Sequence, residues 1–518
     1  MSDKCAGSPG ADDGEIEHAR IVPSRATPDD LLAEPAPTDD YHAAMATLSV
    51  AVLGAGVSGL ASALALGRAG HTVTLIERDE VIAGEALDAV DWRRQGIPHF
   101  LQAHAFTARG RSELRAVFPD VYRALLDAGA HDVDLRPKLR GPLRPEDEEL
   151  QIIGVRRPLI EWGLRRAVLR EPGITVQSGA QVVGLDGATG DVPRVIGVRA
   201  DDGPVRADLV VDAMGRRSPV PDWIEALGGR RMSEVSSDCG VIYYTRYYRV
   251  RNGASLPDGP WVPTPRADLG YGLFSTFPGD NDTFAGLIAI PPGDQELKVL
   301  RHSAAFDAAT ATMPALHSWT NAETSTAITD VIPMGSLQNT LRTFVDGRPP
   351  TIGLISIGDA LCHTDPVFAL GLSFGLVEAR ELTAAIETHG SDLEAVALAF
   401  DAAMREPMVE RFANATAVDE LRLRTWQGEA VDVAHRDGGA YPLFAFAAGN
   451  AAALVDGDVF RTMIRRNYFL DPLSVLDDDV AMQERIERTF ADLRAKPRPR
   501  PGPSRDELIE MMRTALAA

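Results

Sequence analysis

Hydrophobic positions along the chain change rhythm several times. Residues 48–53 and 72–76 are short, nearly continuous apolar runs, the pattern of strands buried on both faces of a parallel sheet. Between them, 60–69 is rich in alanine and leucine and stops at Gly70, which predicts a helix ended by glycine. Together these make a β-α-β unit of about 30 residues. Arg157 and Pro158 open a further helix, with proline in the first turn, and Glu171-Pro172-Gly173 ends it. Strands are predicted over 174–185, 195–200 and 207–213. From 239 to 290 strand patterns dominate, at 241–250, 271–277 and 284–290, and predict an antiparallel sheet. Residues 350–357 read as one more buried strand, and helical spacing follows through 372–388, 393–423 and much of the remainder. The apolar stretch 443–455, at 13 residues, is too short to span a bilayer and reads as a buried helix or a pocket wall. Ser504 and Glu507 form a capping box for a last helix over 505–516, behind the proline-rich 497–503.

The predicted fold is α/β: a Rossmann-like dinucleotide-binding domain of glutathione-reductase type, an inserted antiparallel substrate sheet, and a helical C-terminal region. The first part of the dinucleotide domain, with some substrate-domain segments, covers 48–237. The sheet occupies mainly 238–345, the second part 346–390, and the helical region 391–518. Residues 1–47 stand apart, with ten acidic residues, three basic ones and five prolines. Such a segment buries too little apolar surface to offset its ordering entropy, so a disordered acidic arm is expected.

The glycine loop gives this pattern its chemistry. Gly54-Ala55-Gly56-Val57-Ser58-Gly59 joins the first strand to the first helix. Gly54 allows the turn, Gly56 lets a pyrophosphate approach the backbone, and Gly59 lets the helix pack closely. The helix N terminus then offers N–H groups and a positive dipole end to the phosphates. Glu77, 23 residues after Gly54, ends the second strand, where its carboxylate can accept from a ribose hydroxyl. An acid there disfavours the 2′-phosphate of NADP, and Arg78 beside it weakens that exclusion slightly. Some 300 residues later Gly358-Asp359 ends a strand, and Asp359 there can hold the hydroxyls of a ribityl chain. FAD has such a chain and NAD lacks it, so FAD is the expected cofactor.

Charge and cysteine count narrow the alternatives. A formal charge of −22 repels phosphate backbones, which argues against nucleic acid as a partner. Cys5, Cys239 and Cys362 are too few and too scattered for a disulfide framework or a zinc ribbon, and no metal is expected. The acidic N terminus has no apolar run behind it, so neither a secretory signal nor a transmembrane segment is predicted, and a cytoplasmic location is expected.

Gly54, Gly56, Gly59 and Glu77, with Arg157 opening a helix and Gly358-Asp359 followed by Pro366, resemble FAD-dependent monooxygenases of the p-hydroxybenzoate hydroxylase-like group. Residues Asp91 to Phe100 with Gln102 and His104, and Asp212 to Ser218 followed by Pro221 and Trp223, are similar to the squalene- and polyether-type flavin epoxidases in it. The resemblance implies Arg157 near the pyrophosphate, Asp359 on the ribityl chain, and a helix starting near Gly371 aimed at the flavin pyrimidine. The expected cofactor-binding set is Gly54, Gly56, Ser58, Gly59, Glu77, Arg78, Arg157, Asp359, Pro366, Gly371 and Leu372. Where that group usually has Asp-Gly, this chain has Asp212-Ala213-Met214-Gly215. The electron donor therefore stays open between NAD(P)H and reduced flavin from a separate reductase.

The implied activity is epoxidation or hydroxylation, through a flavin C4a-hydroperoxide and O2, of a hydrophobic natural-product-like substrate, a polyketide or terpenoid. Alternatives are a FAD-dependent dehydrogenase or reductase of polyprenyl-like or secondary-metabolite substrates, and a flavoprotein without enzymatic activity. No catalytic base is evident by spacing: His99, His104 and His363 are candidates only through proximity to motifs, and Tyr243 through its strand. Alternation puts Tyr243, Thr245, Tyr247 and Arg249 on one face and Tyr244, Arg246 and Tyr248 on the other. One face is expected to line a pocket or to pack on helices. Trp261, Phe274, Phe277 and Phe284 are expected to extend the pocket, and Cys362 to be a packed thiol.

Overall fold

The computed structural model describes residues 47–81, 84–86, 92–94, 96–97, 99–436, 441–496 and 499–518. Residues 1–46 of the predicted acidic arm, Asp91, Gln95 and Pro98 of the second motif, and Pro497 and Arg498 of the proline-rich segment lie outside the described residues.

A five-stranded parallel sheet organises the dinucleotide-binding part. Its order is Leu354–Ser356, Leu209–Asp212, Ser49–Leu53, Thr72–Glu77 and Ile174–Ser178. The central strand is buried on both faces, as its unbroken apolar run requires. Its register pairs Leu53 with Ile76 on one side and with Asp212 on the other. Gly54, Glu77, Ala213 and Gly358 consequently gather at the carboxyl edge of the sheet, where open α/β sheets bind ligands. The helices Val57–Arg68, Arg157–Val168 and Gly371–His389 pack together over this sheet. At their crossing a Cβ on Gly375 would lie 2.2 Å from the Ser58 hydroxyl.

Residues 174–185 do not form one strand as predicted. Gly179 takes a φ of +73° and ends Ile174–Ser178. The following strand, Val182–Ala188, joins a separate antiparallel sheet with Arg194–Ala200 and Gly203–Arg206. The predicted strand over 350–357 is likewise only Leu354–Ser356.

The inserted antiparallel sheet runs in the order Arg266–Asp268, Leu273–Pro278, Thr283–Ile290, Ile242–Val250 and Ser325–Ala327, with Ile332–Met334 also pairing to Ile242–Val250. Its two faces have different neighbours. Tyr244, Tyr248, Phe284 and Ile288 pack against Phe306, Leu316, Leu508 and Met512 of the covering helices. Tyr243, Leu273, Leu287 and Ala289 form the opposite core with Trp426. A small sheet of Ser233–Asp238, Gln338–Thr343 and Cys362–His363 ties the inserted part to the segment after Asp359. Behind these, the helix Leu393–Trp426 runs for 34 residues, and the predicted helix in 443–455 forms with a π turn over Ala445–Gly449. The capping box at Ser504 and Glu507 forms as read and opens Arg505–Ala517. Among the described residues no helix is long and apolar enough to cross a membrane.

Candidate active site

The glycine loop has the shape a diphosphate needs. Gly54 adopts a φ of +96°, and a Cβ there would stand 2.8 Å from the Ala213 carbonyl. On Gly59 a Cβ would meet the Gly54 oxygen at 1.9 Å. Gly56 differs, because the nearest atom to its missing Cβ is the Arg157 guanidinium at 3.9 Å. No side chain caps the helix that starts at Val57, and no acid sits in its first turn. A bare backbone, an uncapped helix N terminus and an arginine thus converge on one gap, a donor set that fits a pyrophosphate.

Arg157 is held in place by Glu161, to which its Nε donates at 3.0 Å. Glu161 also receives Arg94 at 2.8 Å. Arg94 reaches Glu77 at 2.6 Å and Asp79 at 3.1 Å, and donates to the Ala55 carbonyl at 2.8 Å. Arg94 was not among the expected residues. It follows Trp92 and Arg93 in a motif whose charges carry no spacing that points to Glu77. Glu77 itself accepts from the Ala55 N–H at 2.6 Å and the Asp79 N–H at 3.0 Å. Burial alone pushes its carboxyl up, but Arg94 and the two N–H groups outweigh this and hold it below the usual carboxylate range. Arg78 is exposed and lies beside Gly96. Ser58 is packed between Gly358 and Gly375, so its hydroxyl sits at the helix crossing.

Asp212 supports the loop from the neighbouring strand. Its carboxylate accepts from the Ser218 hydroxyl at 2.7 Å, the Ser356 hydroxyl at 3.2 Å and the Met214 N–H at 3.0 Å. Its buried position pushes its pKa up. The Asp-Ala-Met-Gly segment therefore knits two strands together and sets Ala213 against Gly54.

Asp359 lies in the turn Gly358–Ala360, and its carboxylate makes no hydrogen bond to any described residue. It is 3.7 Å from where a Cβ of Gly371 would be, beside the uncapped N terminus of Gly371–His389. Leu372 is buried in that first turn. The Gly358 N–H is taken by Glu378, which is fully buried and accepts at 2.7 Å. Burial pushes the Glu378 carboxyl up to about 8, and its second oxygen has no hydrogen-bond partner among the described residues. Sequence spacing missed Glu378, because mid-helix glutamates are ordinarily solvated.

The chain leaves Asp359 along Cys362–His363 and enters a short 3-10 turn at Pro366–Phe368, followed by Ala369 in a left-handed conformation. Residues 366–370 form part of the wall of a cavity of about 560 Å³. The sheet contributes Tyr243, Leu273, Phe277 and Leu287, and the C-terminal helices Leu443 and Phe446. Trp261 lines it too, as does Phe274, which also belongs to the helix-facing core. Phe284 does not extend the pocket. It is the cross-strand partner of Tyr248, stacks on that ring at 5.3 Å and therefore faces the helices.

Tyr243 faces the cavity but is no free base. Its hydroxyl donates to Asp365, and burial followed by that carboxylate raises its pKa well above the ordinary tyrosine value. Asp365 is held in turn by Arg422 at 2.8 Å, and Arg422 also reaches Asp419 at 2.9 Å. His99 and His104 stand with ring centroids 6.0 Å apart, and His104 Nδ1 contacts the Gln102 carbonyl at 2.8 Å. Burial, reinforced by Arg157, lowers them to about 2 and about 3, so both are neutral near pH 7. Neither is among the residues lining the cavity, and His363 is absent from its walls as well. Cys362 is a buried thiol in the main core.

Comparisons with known proteins bear on the fold. A family model described as an NAD(P)-binding Rossmann-like domain matches residues 52–121. Protein Rv3254 of Mycobacterium tuberculosis is 26% identical over 375 residues, 66% of this chain and 74% of its own length. Among solved structures, PqsL, a probable FAD-dependent monooxygenase from Pseudomonas aeruginosa, matches with a TM-score of 0.53 and 15% identity over 74% of this chain and 99% of its own. OxyS, the anhydrotetracycline hydroxylase of Streptomyces rimosus, matches with a TM-score of 0.51 and 18% identity over 82% of this chain and 76% of its own. The chain has the fold of FAD-dependent monooxygenases.

Proposed function

We propose that the protein is a FAD-dependent monooxygenase that epoxidises or hydroxylates a hydrophobic, natural-product-like substrate, a polyketide or terpenoid, in the cytoplasm. The observation that carries this reading is the segment 366–370. It leads from the Asp359 turn to Gly371 and also lines the 560 Å³ cavity, so a cofactor held at Asp359 and a substrate in the cavity would share a wall. Bound and reduced FAD supplies the activation of O2, chemistry that no side chain provides.

The residues supply binding, orientation and dryness. Gly56, the helix N terminus at Val57 and Arg157 hold the pyrophosphate, and Glu77, fixed by Arg94, accepts from a ribose hydroxyl. Asp359 holds the ribityl chain. The uncapped N terminus of Gly371–His389 would stabilise negative charge on a bound cofactor. Tyr243, Phe277 and Leu287 keep water from the substrate. An alkene accepts oxygen without a protein base, and Tyr243, which lines the cavity with Tyr468, is committed to Asp365. The squalene- and polyether-type likeness of the Asp91–Phe100 and Asp212–Ser218 motifs supports the epoxidising form. The donor is NAD(P)H or reduced flavin from a separate reductase.

The test is turnover of candidate polyenes or polyketides by purified protein under labelled O2. Labelled oxygen in the product supports the proposal. Turnover without O2 overturns it in favour of a dehydrogenase or reductase, and protein that stays colourless with added FAD removes the flavin reading altogether.

A further inference from the structure

The cavity carries more positive charge than an apolar pocket needs. Among the described residues Arg266, Arg411, Arg422 and Arg466 line it, against the single acid Asp268, in a chain whose formal charge is −22. Three of these arginines are occupied. Arg422 is paired with Asp365 and Asp419. Arg411 donates to the Arg466 and Asp471 carbonyls at 3.1 and 2.7 Å, and Arg466 to the Leu473 carbonyl at 3.3 Å.

Arg266 is different. Among the described residues its guanidinium has no hydrogen bond and no ion pair. Its Cζ lies 5.9 Å from the Phe446 ring centroid. Asp268, on the same strand and by alternation on the same face, does not neutralise it. That carboxylate accepts instead from the Gly270 N–H at 2.7 Å and the Trp426 indole at 3.2 Å. Arg266 is exposed, on a strand that lines the cavity. A guanidinium keeps its charge near pH 7, so Arg266 presents an accessible cation to whatever enters the cavity.

We propose that Arg266 is the anion receptor of this cavity, and that the substrate is a hydrophobic molecule bearing an ionised acidic oxygen, as a carboxylate or an enolate. This rests on the cavity being the substrate site. The planar guanidinium suits bidentate pairing with a carboxylate, and anchoring there leaves the apolar body of the molecule against the walls that reach 366–370. A neutral analogue gains the same apolar contacts but leaves Arg266 unpaired, so discrimination arises at this one residue.

The test is calorimetric binding to FAD-loaded protein with two probe pairs: 2-naphthoate against its methyl ester, and the enolate of 4-hydroxycoumarin against its methyl ether. At least one acid should bind roughly tenfold or more tightly than its neutral partner. Arg266→Gln should abolish that preference, and Arg266→Lys should keep part of it, with flavin content and thermal midpoint unchanged in both. The pair that shows the preference assigns carboxylate or enolate. Equal affinity for acid and neutral partner in both pairs, no binding of either acid, or an undiminished preference in Arg266→Gln overturns the proposal. Flavin content of the same samples judges the cofactor reading separately.

Discussion

Gly56 and Gly59 are three residues apart and serve opposite purposes. A methyl on Gly59 would collide with the Gly54 carbonyl at 1.9 Å, while on Gly56 it would meet no protein atom closer than 3.9 Å. Gly59→Ala is therefore expected to destabilise the cofactor-free fold, by roughly 1–3 kcal/mol or more. Gly56→Ala should leave the cofactor-free thermal midpoint within about 0.5 kcal/mol of the parent, yet cut retained flavin roughly tenfold or more. Calorimetry on stripped protein and flavin absorbance on loaded protein separate the two effects. Glu378 gives a second prediction. Its folded carboxyl keeps its proton to about pH 8, against an ordinary value of 4.5, so the folded chain binds more protons than the unfolded one across that window. Its contribution is whole below the ordinary value and is lost as pH rises toward 8. Glu378→Gln cannot titrate, so unfolding free energy from denaturant melts should fall less steeply from about pH 5 to about pH 8 than in the parent.

At the scale of elements, the last helix is a structural part of the inserted sheet. Leu508 and Met512 are fully buried against Phe306 and Leu316. Leu508→Ala should cost about 2–5 kcal/mol in urea melts, with loss of the sheet's packing rather than of the glycine loop. That helix was legible because its capping box is local: Ser504 and Glu507 are three residues apart, and each side chain finds the other's backbone. The β-α-β unit was legible for the same reason, since apolar run, glycine stop and terminal acid lie within 30 residues. Phe284 was misplaced because strand parity alone cannot say which face of a neighbouring strand it joins. The register that pairs it with Tyr248 is a long-range fact. Arg94 was missed for a related reason, since its partner Glu161 lies 67 residues away. Likewise, Asp365 and Arg422 come from different elements 57 residues apart. Motifs reveal contacts within one turn of chain, and buried ion pairs between elements leave no such spacing.

At the scale of the whole molecule, net charge describes the surface more than the sites. Among the described residues the cavity is lined by four arginines and one acid, and the dinucleotide gap by Arg157 and bare N–H groups, although acids outnumber bases by 22 overall. Local geometry sets the field that a ligand meets. Residues 366–370 add a constraint of another kind. They border the cavity on one side and lead into the Gly371 helix on the other, with left-handed Ala369 between them. Two ligands that press on one stretch of backbone do not bind independently. Whatever factor a molecule in the cavity adds to the hold on the dinucleotide, the dinucleotide must return to that molecule in equal measure. The free energy of loading both then departs from the sum of loading each, and that difference measures how firmly this five-residue stretch couples one chamber to the other.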